Sequence, residues 1–297
     1  MKRIFWLLQF FLVVLLTLPV AVIPYRLSRK AGELLGTLLY LCWGSRRRIA
    51  IGNLKGAVLR GSLVIDSSPE DVIKQNFRNL GKSFVEVIKI YYGLGGRIFS
   101  NVEIRGIGIF RNALKKGTGI LLITGHCGNW ELNALACSAK VAPISVVVRP
   151  INNPFINRLV EITRKKYGNK VINKKGALKG ILSALKRNEA VGILMDQSVL
   201  SDEGVMADFL GKKDYIMKTP ALIAMKTGCA VIPAFIRRTD GGHVVEAVEE
   251  IEVDKSEDSE KAVFNNTVKF SNAIEDYIRK NPSEWLWMHR RWKRFEE

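Results

Sequence analysis

What most constrains this chain is a rhythm in its apolar residues. From residue 119 onward, short apolar runs alternate with longer amphipathic stretches, and Gly or Pro stands at most of the junctions. Residues 119–124, 144–148, 170–172, 190–195, 230–236 and 244–253 read as strands, and 129–138, 154–167, 177–187, 219–228 and 259–280 as helices. A run such as Gly119-Ile-Leu-Leu-Ile-Thr124 has no polar face, so it suits a strand covered on both sides. Strands of that kind alternating with helices predict an α/β fold, a mixed and largely parallel sheet flanked by helices. Upstream, Ser68-Pro69-Glu70-Asp71 is a helix start, with a capping hydroxyl, Pro at the first helical position and acids in the first turn; this helix is expected to reach about Tyr91.

The amino terminus adds a second constraint. Lys2-Arg3 is followed by an apolar run from Ile4 to Ile23, interrupted only by Gln9, Thr17 and Pro19. About 20 apolar residues suffice to cross a bilayer core, so a single N-terminal membrane helix is expected. A cleaved signal peptide is the alternative; Pro19 to Pro24 holds no A-x-A site and the run is long for a signal peptide. Arg26, Arg29, Lys30 and Arg46-Arg47-Arg48 follow, and basic residues are retained on the cytoplasmic side. The expected organisation is an anchor over residues 1–25, a membrane-proximal helical region over 26–95, and an α/β domain over 96–297 on the cytoplasmic side.

With 47% hydrophobic and 25% charged residues, the 297-residue chain can bury a sizeable core. Its net charge of +18 is uneven: residues 140–187 carry twelve Lys or Arg against the single acid Glu161, whereas 246–260 is acidic. Basic fields attract nucleic acid, anionic lipid or acidic carrier proteins, and charge does not choose among them. The four cysteines, Cys42, Cys127, Cys137 and Cys229, have neither zinc-site nor disulfide-framework spacing and read as reduced thiols.

His126, Arg149 and Asp196 each follow an apolar strand directly. Ligands of open α/β sheets bind at the carboxyl ends of the strands, so one crevice is expected to gather all three. His126 lies in Thr124-Gly125-His126-Cys127-Gly128-Asn129-Trp130-Glu131, where flanking glycines permit a tight turn and Glu131 falls in the first turn of the next helix. A carboxylate on one imidazole nitrogen fixes the tautomer and stabilises the cation formed when the other takes a proton, so Glu131 is expected to hold His126 as a general base. The plainer alternatives are a strand-end histidine with Glu131 complementing the helix dipole, a helix-capping or sheet-edge salt bridge for Arg149 and a turn residue for Asp196.

Thr124-Gly-His-Cys-Gly-Asn-Trp-Glu131 resembles the H-x-x-x-x-[DE] motif of glycerolipid acyltransferases, and more closely the late acyltransferases of lipid A biosynthesis, the lauroyl and myristoyl transferases. Further stretches resemble that family in order: Arg46 to Asn53-Leu54, Arg149-Pro150 with Asn153-Pro154, Asp196-Gln197, Phe209-Leu-Gly211, Thr219-Pro220-Ala221, and Pro282 to Lys293. The resemblance implies a glycerolipid acyltransferase-like fold at the inner membrane. The implied enzyme passes an acyl group from an acyl carrier protein thioester, or from acyl-CoA, to a hydroxyl of a phosphorylated glycolipid, a lipid A precursor. His126 and Glu131 would be catalytic, and Arg149, Asp196, Gln197 and Asn129 would bind substrate. No metal or other cofactor, and no nucleic acid, is expected.

Cys127 departs from the family's frequent aromatic and raises an acyl-enzyme as a side possibility. The run from Trp285 to Arg294, aromatic and basic, is expected at the lipid headgroups. His289 is expected to be structural or headgroup-binding, His243 a loop residue, and the basic 140–187 stretch a docking surface for an acidic carrier. The rivals are the same chemistry on another glycolipid, such as a phosphatidylinositol mannoside, and a non-catalytic membrane-surface binding protein.

Overall fold

The chain opens with four long helices in a computed structural model that describes residues 2–293: α1 (Lys2–Val22), α2 (Tyr25–Cys42), α3 (Gly44–Leu59) and α4 (Pro69–Tyr91). α1 is long and apolar enough to cross a membrane. α4 starts as its sequence demands, with Ser68 Oγ accepting from the Asp71 N–H and Pro69 at the first helical position.

The remaining elements are α5 (Gly96–Ser100), β1 (Val102–Arg105), α6 (Ile107–Lys115), β2 (Ile120–Thr124), α7 (Trp130–Lys140), β3 (Ile144–Val148), α8 (Pro154–Lys166), β4 (Lys170–Asn173), α9 (Ala177–Lys186), β5 (Ala190–Leu194), β6 (Gly204–Phe209), β7 (Lys212–Met217), α10 (Thr219–Thr227), β8 (Ala230–Arg238), β9 (His243–Ala247) and α11 (Ser259–Lys280). Seven strands form one sheet in the order β1-β9-β8-β2-β5-β3-β4. Every neighbouring pair is parallel except β8 with β9. The expected mixed, largely parallel sheet flanked by helices is therefore the fold.

Two apolar cores lie on the two faces of this sheet. Leu121 and Ile123 of β2 belong to one, with Phe77, Phe270 and Ile274; Ile120 and Leu122 belong to the other, with Leu132, Leu135 and Ile232. Side chains alternate across a strand, so covering both faces requires an unbroken apolar run.

Several elements differ from expectation. The short edge strand β1, the short helices α5 and α6, and the β6–β7 hairpin carry too little apolar periodicity to stand out. The hairpin turns at Leu210 and Gly211, both with positive φ, and Phe209 pairs with Lys212; two left-handed residues suit a tight hairpin. The expected strand over 244–253 stops at Ala247; beyond it the Val248 N–H still donates to the Pro233 carbonyl, and Ile251 makes an isolated bridge to Val231.

The carboxyl-terminal aromatics do not face lipid. Trp285, Trp287 and Trp292 are all at most 2% exposed, because the segment after α11 threads back into the core. Asn53 Nδ2 of α3 donates to the Trp287 and His289 carbonyls at 2.8 and 3.0 Å, and Asn76 Nδ2 of α4 to those of Ser283 and Trp285 at 2.8 and 2.7 Å. His289 is half-buried, and Arg294 lies outside the described residues.

α2 and α4 meet backbone to backbone. A Cβ on Gly36 would lie 2.6 Å from Arg78 Cα, one on Gly32 2.8 Å from the Gly81 carbonyl oxygen, and one on Gly81 2.7 Å from Gly36 N. Close helix approach of this kind tolerates only glycine at the crossing. Gly81→Ala is expected to lower stability by about 1–3 kcal/mol, the usual cost of overpacking; thermal unfolding of the two proteins in the same detergent would show it, and an unchanged midpoint would contradict the contact.

Candidate active site

Parallel neighbours β2, β5 and β3 point their carboxyl ends the same way. In register Thr124 of β2 lies opposite Leu194 of β5, so two residues further on His126 and Asp196 emerge side by side. Gly125 allows the approach, since a Cβ there would already lie 3.2 Å from Asp196 Cβ. Gly128, at φ +55°, closes the turn, and any side chain would strike the Ile236 carbonyl.

His126 Nδ1 lies 2.8 Å from Asp196 Oδ1, while Trp285 Nε1 donates to Asp196 Oδ2 at 2.8 Å and Arg291 Nη1 donates to the Asp196 backbone carbonyl. Burial opposes the Asp196 anion, but the His126 charge, the His126 hydrogen bond and the indole N–H hold the carboxyl below its ordinary value. An ionised carboxylate only accepts, so Nδ1 carries the hydrogen and Nε2 presents its lone pair. Burial likewise opposes the imidazolium, yet Asp196 wins and raises the His126 pKa. The imidazole is 23% exposed against 2% for the Asp196 side chain, so the ring reaches the surface and the carboxylate does not. Trp130 packs edge-on at 5.3 Å between ring centroids, and Gln197 Nε2 lies 3.5 Å from both ring nitrogens.

Glu131 does not hold His126. Its carboxylate takes a two-pronged contact from Arg164 of α8, Nε to Oε1 at 2.8 Å and Nη2 to Oε2 at 3.0 Å, and accepts from the Tyr91 hydroxyl at 2.8 Å. The reason is helical phase: Trp130 occupies the place against the imidazole, and the next residue points about 100° further round α7. The carboxylate that holds the imidazole comes from the end of the neighbouring strand.

Asn129 is also placed differently from expectation. It is buried and caps α7, its Oδ1 accepting from the Leu132 N–H, while its Nδ2 donates to Glu86. Arg149 stands exposed at the end of β3, at the same sheet edge and on the next strand but one from His126, with no hydrogen bond or ion pair among the described residues. Cys127 is 1% exposed, and burial, with Asp196 and Glu284 nearby, pushes its thiol well up, which does not suit a nucleophile.

Behind the turn lies a group the sequence did not single out. Glu86 of α4 is fully buried and accepts from Arg238 of β8, the Tyr25 hydroxyl and Asn129 Nδ2, with His243 Nε2 3.2 Å away. His243 is thus a buried strand residue and not a loop residue. Trp285 and Arg291 were equally hidden as site residues, because their aromatic and basic character suggested a lipid surface. An apolar groove of about 520 Å³ runs between α2 and α4, lined by Leu35, Leu39, Leu80, Phe84 and Val87, and ends on residues 128–131 beside His126.

Over residues 2–294 the chain matches the family described as bacterial lipid A biosynthesis acyltransferase. It is similar to the lipid A biosynthesis palmitoleoyltransferase of Escherichia coli (strain K12), 25% identical over 91% of this chain and 86% of that protein. The lauroyltransferase of the same organism is also 25% identical, over 91% and 87%. A phosphatidylinositol mannoside acyltransferase of Mycolicibacterium smegmatis is 22% identical over 75% and 73%.

With Asp196 as partner, Asp196→Asn is expected to drop the His126 pKa below that of the parent, since burial then acts with little to oppose it, whereas Glu131→Gln leaves it in place. NMR titration of the imidazole would separate the two; a fall in Glu131→Gln alone would restore Glu131 as the orienting group.

Proposed function

Because the chain belongs to the bacterial lipid A biosynthesis acyltransferase family, we propose that it transfers a fatty acyl group from an acyl carrier protein thioester to a hydroxyl of a lipid A precursor, with His126 as base and Asp196 as its orienting partner. The observation that carries this reading is the surface-reaching imidazole, held through Nδ1 by a buried carboxylate and packed against Trp130, which lines an apolar groove. The acyl chain lies in the groove, with its thioester carbonyl beside His126. The acceptor hydroxyl approaches Nε2, which takes its proton as the oxygen forms a bond to the carbonyl carbon. The tetrahedral intermediate then collapses, the carbon–sulfur bond breaks, and the imidazolium returns the proton to the departing thiolate. Asp196 stabilises the imidazolium between these steps.

Other placements support the partners. Arg149 offers an exposed guanidinium at the same sheet edge, suited to an acceptor phosphate by its forked geometry. Lys165, Lys166, Lys174 and Lys175 in the 140–187 stretch give an acidic carrier protein a basic surface. Glu131, tied to Arg164 and Tyr91, fixes α7 against α8 and α4 and so keeps Trp130 against the base. The catalytic domain faces the cytoplasm, where carrier thioesters are made.

Membranes holding the protein would be given lauroyl and myristoyl groups on carrier protein or coenzyme A, with lipid A precursors or phosphatidylinositol mannosides as acceptors. Acylation of the lipid A precursor from the carrier is expected. Product on the mannoside alone would overturn the acceptor, and turnover with coenzyme A alone would overturn the donor. His126→Ala is expected to lose on the order of 100-fold or more in rate; full activity would favour a non-catalytic surface protein. The acid limb of kcat/KM should fall through a pKa above the ordinary imidazole value of about 6.5, because the base must be neutral and Asp196 favours its cation. In Asp196→Asn that limb should move to lower pH.

A further inference from the structure

The two polar side chains that interrupt the apolar run of α1 both face the catalytic domain. Asn153 Nδ2 donates to the Trp6 carbonyl at 2.8 Å and to Gln9 Oε1 at 3.3 Å, and Phe10 packs on Phe155. Thr17 Oγ1 shares a hydrogen bond with the Tyr92 hydroxyl at 2.9 Å. At the far end, the buried Lys89 ammonium donates to the Ala21 and Ile23 carbonyls at 2.6 Å each. α1 is therefore fastened to α4 and to the start of α8 from Trp6 to Ile23, a length of about 25 Å.

A helix fastened in this way cannot cross a bilayer by itself. The hydrocarbon core is about 30 Å thick, so a crossing α1 would carry its docked neighbours into it. The start of α8 would bring the exposed Arg158, one turn beyond Phe155, and charged side chains facing lipid are strongly disfavoured there. The remaining surface of α1 is apolar: Ile4, Leu8, Phe11, Leu15 and Leu16 are each more than 60% exposed. α2 follows directly and also exposes Leu27, Leu34, Leu38 and Leu41 along one helical stripe. The bases Lys2, Arg3, Arg26 and Lys30 are exposed at the ends and shoulder of this surface.

We propose that α1 lies in the plane of the cytoplasmic leaflet, docked lengthwise on the catalytic domain, and that α1 and α2 together form a one-sided platform for an anionic phospholipid surface. The apolar side chains enter the acyl-chain boundary and the flanking bases meet lipid phosphates, the pattern of an interfacial helix. This replaces the single span expected from length and composition. It also sets the groove mouth at the leaflet, because Leu34 and Leu38 on the lipid side adjoin Leu35 and Leu39 in the groove wall.

The test places a lone reactive thiol at the amino terminus of the full chain, Lys2→Cys in a Cys42→Ser background; the other three native thiols are buried. A membrane-impermeant maleimide is expected to label it in inverted membrane vesicles and not in intact spheroplasts. Labelling in spheroplasts would put residue 2 across the membrane and overturn the proposal. Arg3→Cys gives an independent reporter should the first variant fold poorly. A Gln9→Cys, Asn153→Cys pair is expected to form an intramolecular disulfide on mild oxidation in native membranes. Persistent failure to cross-link, in a variant that keeps acyltransferase activity, would mean that α1 leaves the domain in the bilayer and would equally overturn the proposal.

Discussion

A carboxylate removed from water has to be held on every side, and Asp196 is held by three residues from two parts of the chain that are remote in sequence. His126 comes from the end of β2, and Trp285 and Arg291 come from the segment after α11. Arg291 is itself fully buried, with its guanidinium 3.8 Å from the centroid of the Phe209 ring and Nε 3.6 Å from Asp214 of β7. Asp214 in turn accepts from Ser198, two residues beyond Asp196. Burying an isolated charge is costly, so each of these groups depends on the next, and the hairpin, the strand ends and the last segment form one polar unit around the base.

A second buried anion supports the same turn from behind. Glu86 gathers Arg238, Tyr25 and Asn129, and Asn129 begins the helix that carries Trp130 against the imidazole. Burial opposes its ionisation, while Arg238 and His243 more than offset this and hold the carboxyl well below the usual range. α4 therefore serves both surroundings of the site: its buried face anchors the turn that carries His126, and its other face lines the groove with Leu80, Phe84 and Val87.

The sheet was legible because its strands are covered on both faces and so carry uninterrupted apolar runs. Placing His126, Arg149 and Asp196 at one edge needed only the rule that parallel strands deliver their ends together, and β2, β5 and β3 are adjacent and parallel. The partner of His126 was not legible. Proximity along the chain favoured Glu131, whereas register across two strands chose Asp196, and register depends on strand order, which no local pattern encodes. The tryptophans near the carboxyl end misled for a related reason: an indole beside arginines looks the same at a headgroup and in a core where Arg291 lies over an aromatic ring. Gln9 and Thr17 were visible as blemishes in an apolar helix, but their partners Asn153 and Tyr92 lie more than seventy residues away in sequence.

The bridge between Cys127 and Trp285 joins the catalytic turn to a stretch that the ribosome makes long after the sheet. Until that stretch is threaded past Asn53 and Asn76, Asp196 lacks its indole and guanidinium partners, and the imidazole has no fixed carboxylate to lean on. A chain folded everywhere except in this segment would therefore present His126 beside an Asp196 that has lost two of its three partners, so closing the last segment is what readies the site.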